Sequence, residues 1–168
     1  MNLKAALINA LDNGRLEEAA SLIEKAGQIK DKEAVPLLIN YLKSTENHNI
    51  RNLIALALSD IGDGRAVKPL IEMINDPKTS GNRGTLLYAL KPFDCSPFLE
   101  TLIRHLLTGN FEVQLTSFEL IEENVHSPVS DEVLLNTILK VKNELSEIER
   151  KKDLYTEALE MICSLKRV

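Results

Sequence analysis

The chain has 168 residues, is 44% hydrophobic but only 4% aromatic, contains no tryptophan and carries a formal net charge of −5. This length predicts one domain with a sizeable core, and the lack of a basic stripe interleaved with aromatics argues against a nucleic-acid-binding protein. No apolar run is long enough to span a membrane, and Cys95 and Cys163 have no CxxC partner, so we expect a protein of the reducing cytoplasm.

The amino-terminal segment predicts a capping helix. Leu3, Leu7 and Leu11 recur at i, i+4 and i+8, which is typical of an amphipathic helix over 2–12 and not of a signal peptide. An Asn-Gly pair follows and ends this helix. The next helices are expected over 15–27 and from 31 to about 43.

The middle of the chain predicts two apolar helices joined by a tight turn, and this pair is the template for the rest. The helices are expected over 49–60 and 65–75. Asp63 stands where its carboxylate accepts from the free N–H groups of the second helix. Gly62 and Gly64 are expected to supply the permissive backbone of the turn.

The template recurs at a spacing of 32 residues. The motif A-V-x-x-[LI]-[LI] begins at Ala34 and again at Ala66, and each copy follows an aspartate. A fixed period in this range is the mark of a stacked array of repeats, in which each unit buries its apolar face against the next.

Two arginines also recur at this spacing. Arg51 and Arg83 are expected to reach an acid at a neighbouring turn between helices, and Asp63 and Asp31 are the natural partners. All four residues are therefore interpreted as structural and not as partner-binding.

Beyond the template the pattern changes. A helix is expected from Ser80 to about Leu90, and the turn at 91–97 has a different build because proline and cysteine replace the template's turn residues. Further helices are expected over 97–107 and 111–123, with a break at Ser127-Pro128.

From Ser130, which is a weak N-cap, the chain is expected to be helical to its end with one break. The break falls either within 143–146, where a Ser-x-x-Glu capping box occurs, or at Lys152-Asp153. The second position is favoured because residues 155–165 resemble the first helix of a further half-repeat.

The stretch 50–76 resembles a HEAT repeat of the short bacterial type, also called the phycobilin-lyase HEAT-like repeat. The matching residues are Arg51, Ala55, Ala57, Leu58, Ile61, Gly62, Asp63, Arg65, Ala66, Val67, Leu70 and Ile71. The resemblance implies an all-α fold, a right-handed α-solenoid of about four to five helical hairpins. Residues 1–168 would then form a single domain, with a capping helix at 2–14, clearer repeats at 15–125 and a divergent repeat and cap at 126–168. No bilin-attachment chemistry carries over onto residues of this chain.

The acidic imbalance lies in the last third of the chain. Residues 111–168 hold seven bases and twelve acids, whereas the preceding residues are balanced. The acids that cluster there are Glu119, Glu122, Glu123, Asp131 and Glu132. One interpretation is a solvated face with acids at helix N-termini, where the helix dipole favours them. The other is an electrostatic landing patch for a basic protein partner.

No set of residues predicts catalysis, a cofactor or a metal site, so we expect a non-enzymatic protein. His48, His105 and His126 lie on separate segments without a ligand-type neighbour and are interpreted as surface or packing residues. Cys95 follows Asp94 near a helix start, a position expected to lower its pKa. A buried structural cysteine is nevertheless favoured, because no paired histidine is indicated.

The resemblance implies a protein–protein interaction module, because in HEAT stacks the second helix of each pair lines the binding surface. The residues expected on this surface are Glu33, Asn40, Arg65, Lys68, Glu72, Glu100, Arg104 and His105. Their mixed signs suit a protein better than a polyanion. One alternative is an immunity protein that neutralises a cognate basic nuclease toxin through the acidic segment, residues 111–149. Another is a bilin lyase-like or other ligand-handling protein.

Overall fold

The structure is a computed structural model and describes residues 3–124 and 131–164. These residues fall into two compact units, residues 3–124 and residues 131–164. Every regular element in them is helical, which confirms the predicted all-α fold. The helices are α1 (Leu3–Asp12), α2 (Leu16–Gln28), α3 (Val35–Ser44), α4 (His48–Ile61), α5 (Val67–Asn75), α6 (Gly84–Tyr88), α7 (Leu99–Thr108), α8 (Phe111–Asn124) and α9 (Asp131–Ser164).

The helices of the first unit stack in two layers, as a solenoid of hairpins requires. In one layer α2 packs on α4, α4 on α6 and α6 on α8. In the other layer α3 packs on α5. Side-chain hydrogen bonds extend this second layer at both ends, from Tyr41 of α3 to Asp12 of α1 and from Arg104 of α7 to Asn75 of α5. The first unit is therefore an array of three stacked helical pairs, α2/α3, α4/α5 and α6/α7, with α1 at its amino-terminal end and α8 at its carboxyl-terminal end.

The core between the two layers is aliphatic. Its largest fully buried side chains are Leu7, Ile23, Leu38, Leu42, Ile54, Leu58, Leu70, Ile74, Leu86, Leu87, Leu90 and Leu102. Close approach of α2 and α4 depends on Gly27, where a Cβ atom would lie 3.1 Å from the Cα of Ala57. The glycine allows the two backbones to touch, which larger residues would prevent.

An aspartate opens each hairpin turn of the first unit. Its Oδ1 atom accepts a hydrogen bond from the backbone N–H two residues on, which satisfies a donor at the start of the next helix. The three bonds are Glu33 N to Asp31 at 3.0 Å, Arg65 N to Asp63 at 3.0 Å and Ser96 N to Asp94 at 2.9 Å. Asp63 thus acts as predicted, and Asp94 is a turn residue of the same kind.

The two glycines of the template turn differ. Gly62 ends α4 with φ at +68°, in the left-handed region that favours glycine. Gly64 does not have a positive φ, and it begins the short 3₁₀ turn Gly64–Ala66 with open space around its Cα. The expectation that both glycines supply special backbone geometry is therefore wrong for Gly64.

The predicted partners of Arg51 and Arg83 are also wrong. The Arg51 guanidinium is buried and donates from Nη2 to the carbonyl oxygen of Thr45, just beyond the end of α3. Arg83 donates from Nη2 to the carbonyl oxygen of Asp76, just beyond the end of α5, at 3.3 Å. Each arginine thus caps the C-terminus of the preceding helix, where unpaired carbonyls and the helix dipole favour a cation.

The helix expected from Ser80 begins four residues later, at Gly84. Gly81 has φ at +84°, a conformation that interrupts a right-handed helix. Thr79 stabilises the preceding turn, since its hydroxyl donates to the carbonyl oxygen of Met73 at 2.7 Å. As a result α6 has only 5 residues.

Residues 131–164 form one uninterrupted helix of 34 residues, so the predicted break is wrong at both positions considered. The segment contains neither glycine nor proline. The Ser146 hydroxyl does not cap a helix, because it donates to the carbonyl oxygen of Lys142 at 3.1 Å within the helix. The predictions made at His126, Ser127-Pro128 and Ser130 lie outside the described residues.

Candidate interaction surface

The exposed side of α3, α5 and α7 presents equivalent positions of consecutive repeats. We call it the second-helix face and define it by six exposed residues, each helix contributing two. They are Pro36, Asn40, Lys68, Glu72, Glu100 and Arg104. The two residues of each helix are four apart and recur at the 32-residue spacing, so they form two parallel rows across the layer. The structure thus brings Lys68, Glu72 and Arg104 to one face, as the sequence predicts.

Contacts between helices hold this face in place. The ammonium of Lys43 on α3 lies 2.5 Å from a carboxylate oxygen of Glu72 on α5. Lys78 donates from Nζ to the Lys43 carbonyl oxygen at 2.5 Å. On the other side, Arg104 donates to Oδ1 of Asn75 at 3.0 Å. Although exposed ion pairs contribute little to stability, several such contacts restrict the rotamers of the face and define its shape.

Arg65 borders the face from the template turn. Its guanidinium lies 2.7 Å from Oδ2 of Asp63 and also donates to the carbonyl oxygen of Lys32, in the preceding turn, at 3.0 Å. The hydrogen bonds from Arg65 lower the pKa of Asp63 to about 2. Arg65 therefore ties two turns of the array together, and Glu33 is exposed beside it.

His105 does not lie on the exposed face, contrary to the prediction. It is 5% exposed, and its Nε2 is 3.0 Å from Oδ1 of Asn75. Burial, together with the positive charges of Arg83 and Arg104, lowers the pKa of His105 to about 4. The ring is therefore neutral at physiological pH and packs between α5 and α7.

The acidic side of α8 is partly neutralised, because a lysine of the turn between α6 and α7 lies against it. Lys91 Nζ is 2.8 Å from a carboxylate oxygen of Glu119, and the charge of Glu123 also acts on it. The same ammonium lies 5.1 Å from the centroid of the Tyr88 ring. Of the three glutamates predicted on α8, Glu119 is thus partly neutralised, while Glu122 and Glu123 are exposed.

An apolar stripe on α8 was missed by the sequence reasoning. Phe111, Leu115 and Phe118 follow one another at i, i+4 and i+7 and are all exposed, Phe111 to 78%. The buried side of the helix carries Val113 and Leu120 instead. The sequence did contain a signal for this stripe, because α8 carries two series of apolar residues, and a helix with one buried face needs only one.

Asp131 and Glu132 belong to the second unit. Both are exposed in the first turn of α9, where the dipole of a long helix favours acids.

Cys95 is fully buried and its thiol is not activated. Burial, reinforced by the charges of Asp94 and Glu123, raises its pKa to about 11. The expectation that the position of Cys95 near a helix start would lower this pKa is wrong, because burial and the neighbouring carboxylates both disfavour the thiolate. The favoured interpretation of a buried structural cysteine agrees with the structure, whereas Cys163 is exposed.

Neither a metal centre nor a membrane span can be recognised in the part of the chain that the structure describes. No three His, Cys, Asp or Glu side chains in residues 3–124 and 131–164 converge as a metal site would require. None of the helices described above combines the length and the apolar character that crossing a bilayer demands.

Residues 5–91 match the family model described as HEAT repeats. A bilin biosynthesis protein, PecE, of Mastigocladus laminosus is 32% identical over 81 residues, which are 47% of this chain and 30% of that protein. PecE of a Nostoc species is 30% identical over 81 residues, covering 47% of this chain and 32% of that protein. The matches thus span about a third of the length of these curated relatives. No solved structure matches the chain significantly.

Proposed function

This chain belongs to the HEAT-repeat family, and from that premise we propose that it is a non-enzymatic module that binds a protein partner through its second-helix face. The observation that carries the proposal is the recurrence of exposed side chains at equivalent positions of three consecutive helices. Repeat arrays use such extended surfaces for binding, because each added repeat lengthens the surface without changing its chemistry.

The charges of the face favour a protein or peptide with both signs. Lys68 and Arg104 alternate with Glu72 and Glu100, so neither a polyanion nor a polycation meets a uniform field. Neighbouring helices of a layer lie roughly 10 Å apart, so three helices give a face about 20 Å across between its outer axes. The contacts made by Glu72 and Arg104 reduce the loss of side-chain entropy on binding.

Affinity capture from the native cell with two matched double variants tests this proposal. The test variant is Lys68→Glu with Glu100→Lys, which exchanges charges on the face and preserves the net charge. The control variant is Glu24→Lys with Lys25→Glu, which makes the same exchange on the exposed side of α2, in the other layer. We expect a stoichiometric protein captured by wild type and control and at least tenfold depleted with the test variant.

A partner retained equally by both variants would exclude the second-helix face as its binding site. Capture is also compared at low and at moderate salt, because contacts between exposed charges weaken as ionic strength rises. A partner that is lost at moderate salt would therefore be held mainly by such charges.

Bilin handling is a second candidate, favoured by the similarity to the two PecE proteins. It is tested by incubating the full chain with a free bilin and a bilin-free acceptor protein and following the absorbance of the attached pigment. Faster attachment than in a sample without the chain would support it, and equal rates would exclude it.

An alternative version keeps a protein partner but makes it a basic toxin that binds the exposed glutamates of α8 instead of the second-helix face. Reversing Glu122 and Glu123 to lysine would then abolish capture of that protein, and unchanged capture would exclude this version. These two exposed residues are the appropriate choice, because Glu119 already contacts Lys91.

A further inference from the structure

A heptad pattern of apolar residues, with one lysine in it, runs along α9. From Leu134 onward its positions follow one another at alternating spacings of four and three residues, which is the 3.5-residue period of a coiled coil. Further exposed apolar residues outside this pattern are Leu135, Leu139, Leu154 and Met161. In the usual lettering the d positions are Leu134, Val141, Ile148, Tyr155 and Ile162. The a positions are Ile138, Leu145, Lys152 and Leu159, so one lysine interrupts the seam. At 1.5 Å per residue, α9 is about 51 Å long.

This seam is exposed in the single chain. Ile138 is 42% exposed, Leu145 54% and Ile148 59%, and the other apolar seam residues apart from the half-buried Val141 are exposed as well. A narrow a/d stripe of this kind is typical of a helix that pairs with another helix, because a helix on a globular core needs a wider apolar face.

The charges beside the seam distinguish between a parallel and an antiparallel pair of identical helices. The flanking e and g positions near the centre are Lys142, Glu144, Glu149 and Lys151. In a parallel pair, each g position faces the e position five residues later on the other helix. Glu144 would then face Glu149 of the second copy, and two like-charged contacts would form at the centre of the interface.

In an antiparallel pair centred between Ser146 and Glu147, all of these contacts become attractive. There g positions face g positions and e positions face e positions. Glu144 then faces Lys151 of the second copy, and Lys142 faces Glu149 of the second copy. The two-fold symmetry repeats both contacts.

The same alignment pairs the apolar residues. Leu145 meets Ile148 of the second copy in the central layer, and Leu134 meets Leu159 of the second copy towards the ends. Lys152 lies opposite Val141 of the second copy. A single lysine at an a position costs stability but fixes the register, because any shift would place it against a different apolar layer.

We propose that α9 forms an antiparallel two-stranded coiled coil with α9 of a second copy of this chain, centred between Ser146 and Glu147. The mass of the full chain in solution tests the dimer. Light scattering coupled to size exclusion is expected to give twice the chain mass of 18.8 kDa at micromolar concentration. A monomer, whether its α9 seam packs on its own repeats or waits for another protein, would overturn the proposal, as would a larger oligomer.

Complementary charge variants test the pairing without depending on one substitution. Lys142→Glu with Lys151→Glu makes all four flanking positions acidic, and Glu144→Lys with Glu149→Lys makes them basic. Each variant alone is expected to dimerise about 100-fold more weakly, since attractive contacts become repulsive, and mixing the two is expected to restore the dimer. Variants that each dimerise as strongly as the wild type would overturn the proposal.

A distance measurement tests the orientation. Cys163 is exposed near the end of α9 and accepts a spin label, and the buried Cys95 is removed as Cys95→Ala. In the antiparallel pair the two labelled positions lie about 50 Å apart, whereas in a parallel pair they lie within roughly 20 Å. A short distance from pulsed electron resonance would overturn the antiparallel arrangement.

Discussion

The first unit and α9 use the same aliphatic residues in opposite ways. In the first unit, apolar stripes of short helices are buried between two layers, and an aspartate opens each hairpin turn. In α9 the apolar residues follow a 3.5-residue period that Lys152 interrupts once, and all of them except the half-buried Val141 are exposed. The spacing of the apolar residues and the presence of turn residues, rather than composition, therefore decide whether leucine and isoleucine build a layered array or a single long helix.

The largest expected effect separates buried from exposed leucines. Leu58→Ala on α4 removes a fully buried side chain and is expected to lower the free energy of unfolding of the first unit by about 3 kcal/mol. The matched change Leu139→Ala lies at an exposed α9 position outside the heptad seam and is expected to change it by less than about 0.5 kcal/mol. Urea unfolding of both variants measures the contrast, and equal losses would contradict the burial difference.

A second prediction concerns the pH dependence of the first unit. The pKa of His105 is about 4 in the folded chain against an ordinary value of 6.5, so between these pH values the unfolded chain binds a proton that the folded chain does not. Stability is therefore expected to fall as pH falls from about 6.5 to 4, by up to roughly 3 kcal/mol.

The control for this prediction is His105→Gln, which keeps an amide able to bond Asn75 but does not titrate. The difference in unfolding free energy between wild type and variant should diminish steadily across that pH range. A difference that stays constant from pH 7 to pH 4 would show that His105 titrates normally.

A smaller effect distinguishes the two glycines of the template turn. Gly62→Ala is expected to cost about 1 kcal/mol, because alanine is disfavoured at φ +68°. Gly64→Ala has open space and no positive φ, so it is expected to stabilise the fold by about 0.5 kcal/mol through the unfolded state. Thermal unfolding should thus shift in opposite directions, and shifts of the same sign would contradict this reading of the turn.

The repeat spacing made most of the fold predictable. The copies at Ala34 and Ala66, with their preceding aspartates, placed the helix pairs and their turns correctly. The second-helix face followed from the same spacing, since equivalent positions of a stacked array share an environment. His105 also obeys this rule, since its equivalents one and two repeats earlier are the buried Met73 and the half-buried Tyr41, and the expectation of an exposed His105 overlooked them.

Local geometry that depends on tertiary contacts could not be predicted from spacing. The partners of Arg51 and Arg83 are backbone carbonyls, which no side-chain pattern reveals. The late start of α6 depends on the left-handed conformation of Gly81. The continuity of α9 could have been predicted, because neither glycine nor proline occurs in its heptads. The Ser-x-x-Glu motif instead suggested a helix cap, which does not form.

The brevity of α6 has a mechanical consequence. In a stack where each member contacts only its neighbours, an applied force is passed from one member to the next, and the least rigid member deforms most. Because α6 offers only 5 residues between the 14-residue helices α4 and α8, we expect the array to bend most readily there. A partner that contacts both α3 and α7 would then change the curvature of the second-helix face by bending the array at α6.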